Sequence, residues 1–331
     1  MEVGFFFWPY DVDLVRAMGE AADRHGYAMV GVADTPGNAM DPWVAATLLA
    51  GATRRARVAV CVTNLVTRHP AVSAAAIASL ARVAPARVVL GIGAGHSGTR
   101  NLGAASLPAG ELAEGVAFVK ALLRGRPATY RGAAAHLPWV TQPSPVFLAA
   151  SHPRSLRAAG AVADGAFVNY GLGADNVAES EGAVVAAAQA AGRDPESVER
   201  WQIACLDCDA DGEVARRKVG TILAFVSAYI VGGGDPGRRG VPARYHAPLR
   251  ELRRRYSTRP GDADAALVRE LGLFDYLAGR LAVCGTPAEC LAQVRAAQAA
   301  GVRRLMFTVS LAADPLRTVR LFGERVLPAL K

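Results

Sequence analysis

Aromatic residues are scarce, 7% of 331 positions, although 52% of the chain is hydrophobic. That combination argues against an all-β sandwich and for Ala-, Val- and Leu-rich helices packed on a parallel sheet. Cysteine is also scarce: five residues, an odd number, spread from Cys61 to Cys290. Such spacing makes no disulfide framework, and free thiols in a reducing compartment are expected. The one close pair, Cys205 and Cys208 in "IACLDCDA", lies in a strand-like stretch. Residues three apart on a strand face opposite sides, so no metal site is expected there. No apolar run reaches ~18 residues without a charge, Gly or Pro. The first residues lack a signal peptide's basic start and cleavage site, so a soluble cytoplasmic protein with no membrane partner is expected.

Acidic residues are the minority, 29 against 37 basic, for a net charge of +8. The excess is mostly scattered arginine, with one dense run, "RELRRRYSTR" at 250–259, whose helical part reads as a solvated face. No recognised nucleic-acid module accompanies the charge, so nucleic acid is not an expected partner, whereas a small anionic ligand fits.

What is present is alternation. Short apolar runs at 3–8, 28–34, 57–64, 87–95, 145–151, 165–171, 200–208 and 304–310 read as strands. Segments of helical period lie at 11–25, 42–54, 70–83, 109–124, 153–163, 174–191, 211–229 and 314–329, several opened by a capping residue and Pro, as in "DPWVAA", "HPAVSAA" and "DPLRTV". Eight βα units predict an α/β fold of the (β/α)8 kind, the TIM barrel. A doubly wound open sheet of two domains would show the same alternation. Closure is favoured because the first strand begins near residue 2 and the eighth, "RLMFTVS", can lie beside it. Residues 230–262, rich in Gly, Pro, Arg and Asp, look loose, and helical segments at 263–278 and from Thr286-Pro287 follow.

In such a barrel chemistry sits at the C-terminal strand ends. These are Trp8 to Tyr10, Asp34-Thr35, Thr63-Asn64, Gly93 to Ser97, Ser151-His152, Asn169 to Gly171, Asp207 to Asp209 and Ser310. They are polar and poor in carboxylate clusters, which excludes paired-acid glycosidase and di-metal designs from the expectations. "GIGAGHSG" is not a dinucleotide fingerprint, since it lacks the G-x-G-x-x-G spacing and the early position. Its glycines permit close backbone approach to an anion or ring, and His96 is suited to proton transfer or to a structural role. "ASHPRSLRAAG" sets Ser151 and Arg154 at a helix N-terminus, which reads either as an anion site or as plain N-capping by Ser151. "TNLVTRHP" reads as a polar bend exposing N–H groups or as an ordinary loop capping its helix. Phe5, Phe7, Trp8, Tyr10 and Trp43 are candidates to frame a substrate pocket, Phe5 and Phe7 being core formers as readily.

"GYAMVGVADTPGNAMDPWVAATLLA", "VAVCVTNLVTRHPAVSAAAIASLA", "VVLGIGAGHSGTRNLG" and "PVFLAASHPRSLRAAGAVADGAFVNYG", in this order over most of residues 1–171, resemble the bacterial luciferase-like superfamily of flavin and deazaflavin oxidoreductases. Within it they are similar to the methylenetetrahydromethanopterin reductase branch. The resemblance implies a single TIM-barrel domain over 1–331, with an insertion or lid at 230–283 around the seventh strand. It implies a non-prolyl cis peptide at Asn64-Leu65 behind a cofactor ring, with Asp34, Asn64, Leu65 and Thr67 nearby. Gly93, Gly95 and Ser97 would follow the ring edge and tail, and Ser151, Arg154, Asn169, Tyr170 and Gly171 the phosphate. His96 falls where some deazaflavin members carry a glutamate proton donor, and related sequences often read "GDS" where this chain has Gly95-His96-Ser97. His96 and Asp34 are thus the catalytic candidates, and Trp8, Tyr10 and Trp43 the substrate-binding ones. The implied activity is hydride transfer between the deazaflavin coenzyme F-420 and a small organic substrate. An FMN-dependent monooxygenase of the same fold and a non-catalytic cofactor-binding or partner protein are the alternatives. A homodimer through helices flanking the early strands is expected by the same resemblance.

Overall fold

The computed structural model describes residues 1–231, 233–256 and 265–330. Its strands are β1 (Glu2–Phe7), β2 (Met29–Val32), β3 (Arg57–Asn64), β4 (Val88–Gly93), β5 (Ala128–Tyr130), β6 (Ala133–Ala135), β7 (Val146–Ala150), β8 (Gly165–Val168), β9 (Glu199–Cys208), β10 (Ala282–Gly285) and β11 (Arg304–Thr308). The principal helices are α1 (Val12–His25), α2 (Pro42–Ala52), α3 (Pro70–Val83), α4 (Ser97–Arg100), α5 (Ala109–Leu123), α6 (Pro153–Val162), α7 (Ala174–Ala190), α8 (Gly212–Ile230), α9 (His246–Arg255), α10 (Leu267–Glu270), α11 (Phe274–Leu281), α12 (Pro287–Ala299) and α13 (Pro315–Arg325).

All pairings in the large sheet are parallel. The order runs β11-β1-β2-β3-β4-β7-β8, and both β8 and β11 pair with β9. That double pairing closes a ring of eight strands and removes the open-sheet alternative, because neither β8 nor β11 is left as an edge. The eight expected strands and their helices are therefore present, most boundaries moving by one to three residues. Two features went unread: the β5–β6 hairpin, and β10, which lies along Cys205–Cys208 of β9. β10 is four residues long and runs straight into the Thr286 helix start, so it offered little period-two pattern.

Helix starts follow the chemistry of their first turns. Asp41, His69, His152 and Asp314 each precede a Pro at the first helical position, and each side chain accepts a backbone N–H one turn in. This corrects Ser151 as the cap of α6. Pro153 takes the first helical position, so the cap falls on His152, whose Nδ1 accepts Ser155 N–H at 3.3 Å. Thr286 and Glu289 cap α12 reciprocally, Glu289 Oε2 lying 2.7 Å from Thr286 N.

The stretch read as loose is partly ordered: turns at Pro236–Arg239 and Ala243–Tyr245, then α9. The helix expected at 263–278 is instead two short ones, α10 and α11, separated by Leu271 to Leu273 with Gly272 at φ +65°. Residues 257–262 of the loose stretch and 263–264 of that helix lie outside the described residues.

The barrel interior has three levels. At its base Glu199 takes Arg57 Nη1 at 2.6 Å and Trp201 Nε1 at 2.5 Å. Above lies an apolar plug of Phe6, Met29, Phe147, Phe167, Trp201, Ile203 and Met306. Strand alternation carries these rows upward to the polar tips. Phe5 and Phe7 point the other way, into the layer between sheet and helices, where Phe5 meets Tyr27 edge-on at 4.8 Å. They are core, not pocket, because Phe6 holds the inward register of β1.

Candidate active site

The tips of β2, β3 and β4 are tied together by hydroxyls. Thr63 Oγ1 donates to Asp34 Oδ2 at 2.6 Å, and Thr35 Oγ1 bonds Ser97 Oγ at 2.9 Å. Burial pushes the Asp34 carboxyl above its usual range, with the Thr63 bond opposing the rise. Asn64 Oδ1 accepts the N–H groups of Val66 and Thr67, both at 2.9 Å, and the Thr67 hydroxyl at 3.2 Å. The bend at 64–67 is therefore a loop closed by its own asparagine. Leu65 turns away and packs so close to Gly115 that a Cβ there would meet Leu65 Cδ1.

The cis peptide is not at Asn64-Leu65 but between Cys61 and Val62. The β3–β4 register shifts between Val60 and Thr63 at this point, so Cys61 and Val62 both contact the interior plug. Val62 then explains two glycines of "GIGAG". A Cβ on Gly91 would lie 2.8 Å from Val62 Cγ1, and one on Gly93 2.9 Å from Val62 Cγ2. Gly95 is needed for its own backbone, at φ +92°, where a Cβ would strike Thr99.

His96 ends this loop just before α4, half-buried, with its Nε2 shielded from solvent. Phe225 of α8 covers it edge-on at 5.2 Å and stands 5.3 Å from Trp8. Strands β1 and β4 lie three apart in a ring of eight, so one ring from α8 spans the mouth, with Tyr256 behind it at 5.8 Å. Burial, aided by Arg100 and Arg253, pushes the His96 pKa down to about 3. The imidazole is accordingly neutral at neutral pH and carries no imidazolium proton to donate.

On the opposite rim, Tyr170 donates to Glu179 Oε1 at 2.5 Å, and Arg280 binds Tyr170 O at 3.2 Å, Tyr276 Oη at 2.9 Å and Arg239 O at 2.8 Å. Gly171 takes φ +133° here, where a Cβ would meet Asn176 Oδ1 at 2.7 Å. Arg154 stands exposed at the start of α6. Burial lowers the His152 pKa, and the nearby Arg239 and Arg154 lower it further. Ser151 and Asn169 are half-buried beside this group. Tyr10 Oη donates to Ser310 O at 2.8 Å, and burial pushes its pKa up to about 12. Trp43 sits at the start of α2 under the Arg68 guanidinium, 5.5 Å away.

The fold thus gathers Asp34, Asn64, Ser97 and His96 on one side of the mouth, and Ser151, Arg154, Asn169, Tyr170 and Gly171 on another. Sequence reasoning missed Phe225, Arg239, Arg253 and Arg280. All lie after residue 211, Phe225 in a long apolar helix, Arg239 and Arg253 in the stretch read as loose and Arg280 in α11, where nothing local marks a residue as facing the mouth. Two surface grooves have volumes of about 380 and 350 Å3, the first between Arg82 and Trp139, the second along α13 from Ala210 and Asp314 to Glu324.

Comparison with known proteins agrees with the barrel fold. The chain is 26% identical over 340 residues, 99% of its own length and all of the other's, to a 5,10-methylenetetrahydromethanopterin reductase of Methanolobus tindarius. It is 31% identical over 205 residues, 56% of each chain, to an F-420-dependent hydroxymycolic acid dehydrogenase of Mycobacterium tuberculosis. Its fold superposes on the coenzyme F-420 dependent tetrahydromethanopterin reductase of Methanopyrus kandleri with a TM-score of 0.80 at 20% identity, covering 100% of this chain and 99% of that one. The luciferase-like monooxygenase family model matches residues 10–304, and the chain, an eight-stranded barrel with its polar tips gathered at one mouth, belongs to that family.

Proposed function

We propose that the chain is an oxidoreductase that uses the deazaflavin coenzyme F-420 to transfer hydride to or from a small organic molecule. The observation that carries this reading is the cationic rim: Arg154, Arg239 and Arg280 gather around His152 and Tyr170 at the tips of β7 and β8. Guanidinium groups beside a helix N-terminus suit a phosphate-bearing, anionic tail. The relatives named above support the choice of a deazaflavin, and the family's monooxygenases support FMN as the second reading.

When bound, a deazaflavin supplies a two-electron hydride carrier. The chain's own residues would do the rest. Arg154, exposed at the start of α6, would meet a phosphate, whereas Arg280 is engaged with carbonyl oxygens and a phenol and Arg239 with the Ile230 carbonyl. Asp34, Asn64 and Ser97 would border the ring on the β2–β4 side, with Gly93 and Gly95 along its edge. Phe225, seated between Trp8 and His96, would exclude water from the mouth and would swing aside for a flat ring entering there, and the described part of the 230–283 segment would act as lid. His96 would serve as a neutral hydrogen-bonding imidazole. Trp8, Tyr10 and Trp43 would face the substrate.

No helix among the described residues is long and apolar enough to cross a membrane. A cytoplasmic location and a homodimer through α2 and α3 are part of the proposal, the dimer supported by the exposure of Val44 and Val72 in the first turns of those helices and of Val66 in the loop before α3.

Absorbance and fluorescence titration with F-420 and with FMN tests the reading. F-420 is expected to bind more tightly, and Arg154→Ala to weaken it by about tenfold, as for loss of one charge-assisted contact. Tight binding of reduced FMN with oxygen uptake, and none of F-420, would overturn it.

A further inference from the structure

Trp201 and Ile203 belong to the interior plug, and β9 runs without a register break from Glu199 to Cys208. Period-two alternation therefore carries Cys205 and Asp207 up the same inward face. Thr308 pairs with Cys205 and Phe6 with Thr308. Two residues further along each strand, Asp207, Ser310 and Trp8 stand level across three neighbouring strands, and Phe225 stands 5.3 Å from Trp8. Asp207 is a carboxylate on the inward register at the tip of β9. It is 1% exposed, and neither carboxyl oxygen has a hydrogen-bond partner among the described residues.

Its neighbour Asp209 is in the opposite condition. Lys218 Nζ and Arg317 Nη2 bond Asp209 at 3.0 and 3.1 Å, and the Asp211 N–H adds a third contact. Both nearby cations are thus committed to Asp209, and Asp207 is left buried without one. Two carboxyls on one strand end are pushed apart, the pattern by which acid and base roles are separated in active sites. Burial raises the Asp207 pKa to about 7, with Asp209 and Asp314 adding to the rise and Lys218 and Arg317 opposing it. Cys284 of β10 also faces it.

We propose that Asp207 is the acid of the substrate side, holding its proton in the buried layer with Ser310 and Trp8 and giving it to the oxygen or nitrogen of a carbonyl or imine substrate. This rests on the oxidoreductase reading above. The Asp207 O–H bond breaks and the proton forms a new bond to that oxygen or nitrogen. The adjacent carbon takes hydride, with its two electrons, from a reduced deazaflavin. The substrate is thereby reduced, the deazaflavin oxidised, and the carboxylate regains a proton from water. A buried carboxyl with free oxygens suits such an acceptor, whereas His96, already neutral, does not supply the proton.

The test uses full-length protein with aspartate labelled at the carboxyl carbon, followed by 13C NMR between about pH 4 and 9. One resonance is expected to titrate near neutrality, to be absent from Asp207→Asn, and to shift when 1-pyrroline or cyclohexanone is added and accepts a hydrogen bond from the carboxyl. F-420 affinity of Asp207→Asn is expected to stay within about twofold of wild type, while turnover of the same probes with reduced F-420 falls by ~100-fold or more. Should Asp207→Asn not fold, Asp207→Glu removes the resonance from the aspartate set while keeping an acid. Absence of a near-neutral aspartate, its persistence in both variants, or its indifference to both probes overturns the proposal. Failure of F-420 to bind wild type, with the titration intact, overturns the cofactor reading instead.

Discussion

Phe225 and His96 meet edge to face, ring centroids 5.2 Å apart at 71°, although 129 positions separate them along the chain (225 less 96). The contact joins the helix leaving β9 to the tip of β4 and covers the His96 ring. Phe225→Ala is expected to let water reach the imidazole and raise the His96 pKa from about 3 toward its ordinary 6.5. The cost in stability should be roughly 2 kcal/mol, less than for a fully buried phenylalanine. Titration of the histidine ring carbons by NMR reads the pKa directly, and no change on removing Phe225 would show that other groups bury His96.

Val62 and the two inward glycines of β4 make a second test. Gly93→Ala sets a methyl 2.9 Å from Val62 Cγ2 and is expected to cost ~1–3 kcal/mol through overpacking. Adding Val62→Ala should recover most of that loss in urea unfolding. Gly91→Ala also meets Val60 O at 2.7 Å, a backbone atom that cannot move aside. Its loss should survive the Val62→Ala change, and equal rescue of both would contradict this packing.

Arg280 and Arg154 share the cationic rim but differ in what they hold. Arg280→Ala strands the buried carbonyl oxygen of Tyr170 and the half-buried one of Arg239, and is expected to cost about 2–4 kcal/mol. Arg154→Ala, exposed at a helix start, should change stability by no more than ~0.5 kcal/mol while weakening anion binding. Thermal unfolding beside a cofactor titration separates the two, and equal destabilisation would mean that Arg154 also serves the fold.

Asp207 and Asp209 give stability opposite pH dependences. Asp207 has a raised folded pKa, so its contribution is present below the unfolded value of 3.8 and is lost as pH rises through about 7. That span amounts to at most ~4 kcal/mol. Asp209 has a lowered pKa, so its contribution is present above the ordinary carboxyl range and is lost as pH falls through its folded value. Wild type minus Asp207→Asn stability, measured by denaturant unfolding from acid to neutral pH, should therefore decline as pH rises. A difference independent of pH would show that Asp207 is not protonated in the folded protein.

The strand and helix pattern was legible because each element announces itself locally. Runs such as "RVAVCVTN" and caps such as Thr286 with Glu289 need no distant partner to be read. The candidate site was legible in part, through the strand ends, where Thr63, Ser97, Tyr170 and Gly171 all fall. The cis peptide was misplaced by three residues; it falls at the β3–β4 register shift, which only the pairing of the two strands reveals. Asp207 was in view as a strand-end acid in an otherwise apolar run, but nothing local distinguishes it from Asp209.

By itself the sequence determined the alternation of elements, their caps and the polar character of the tips, because period and capping act within a few residues. Only closure of the barrel decided which face of each strand looks inward, that Phe225 reaches His96 and Trp8, and that Lys218 and Arg317 bind Asp209 rather than Asp207. Those outcomes depend on contacts between residues far apart in the chain, and such contacts exist only once β8 and β11 have both paired with β9.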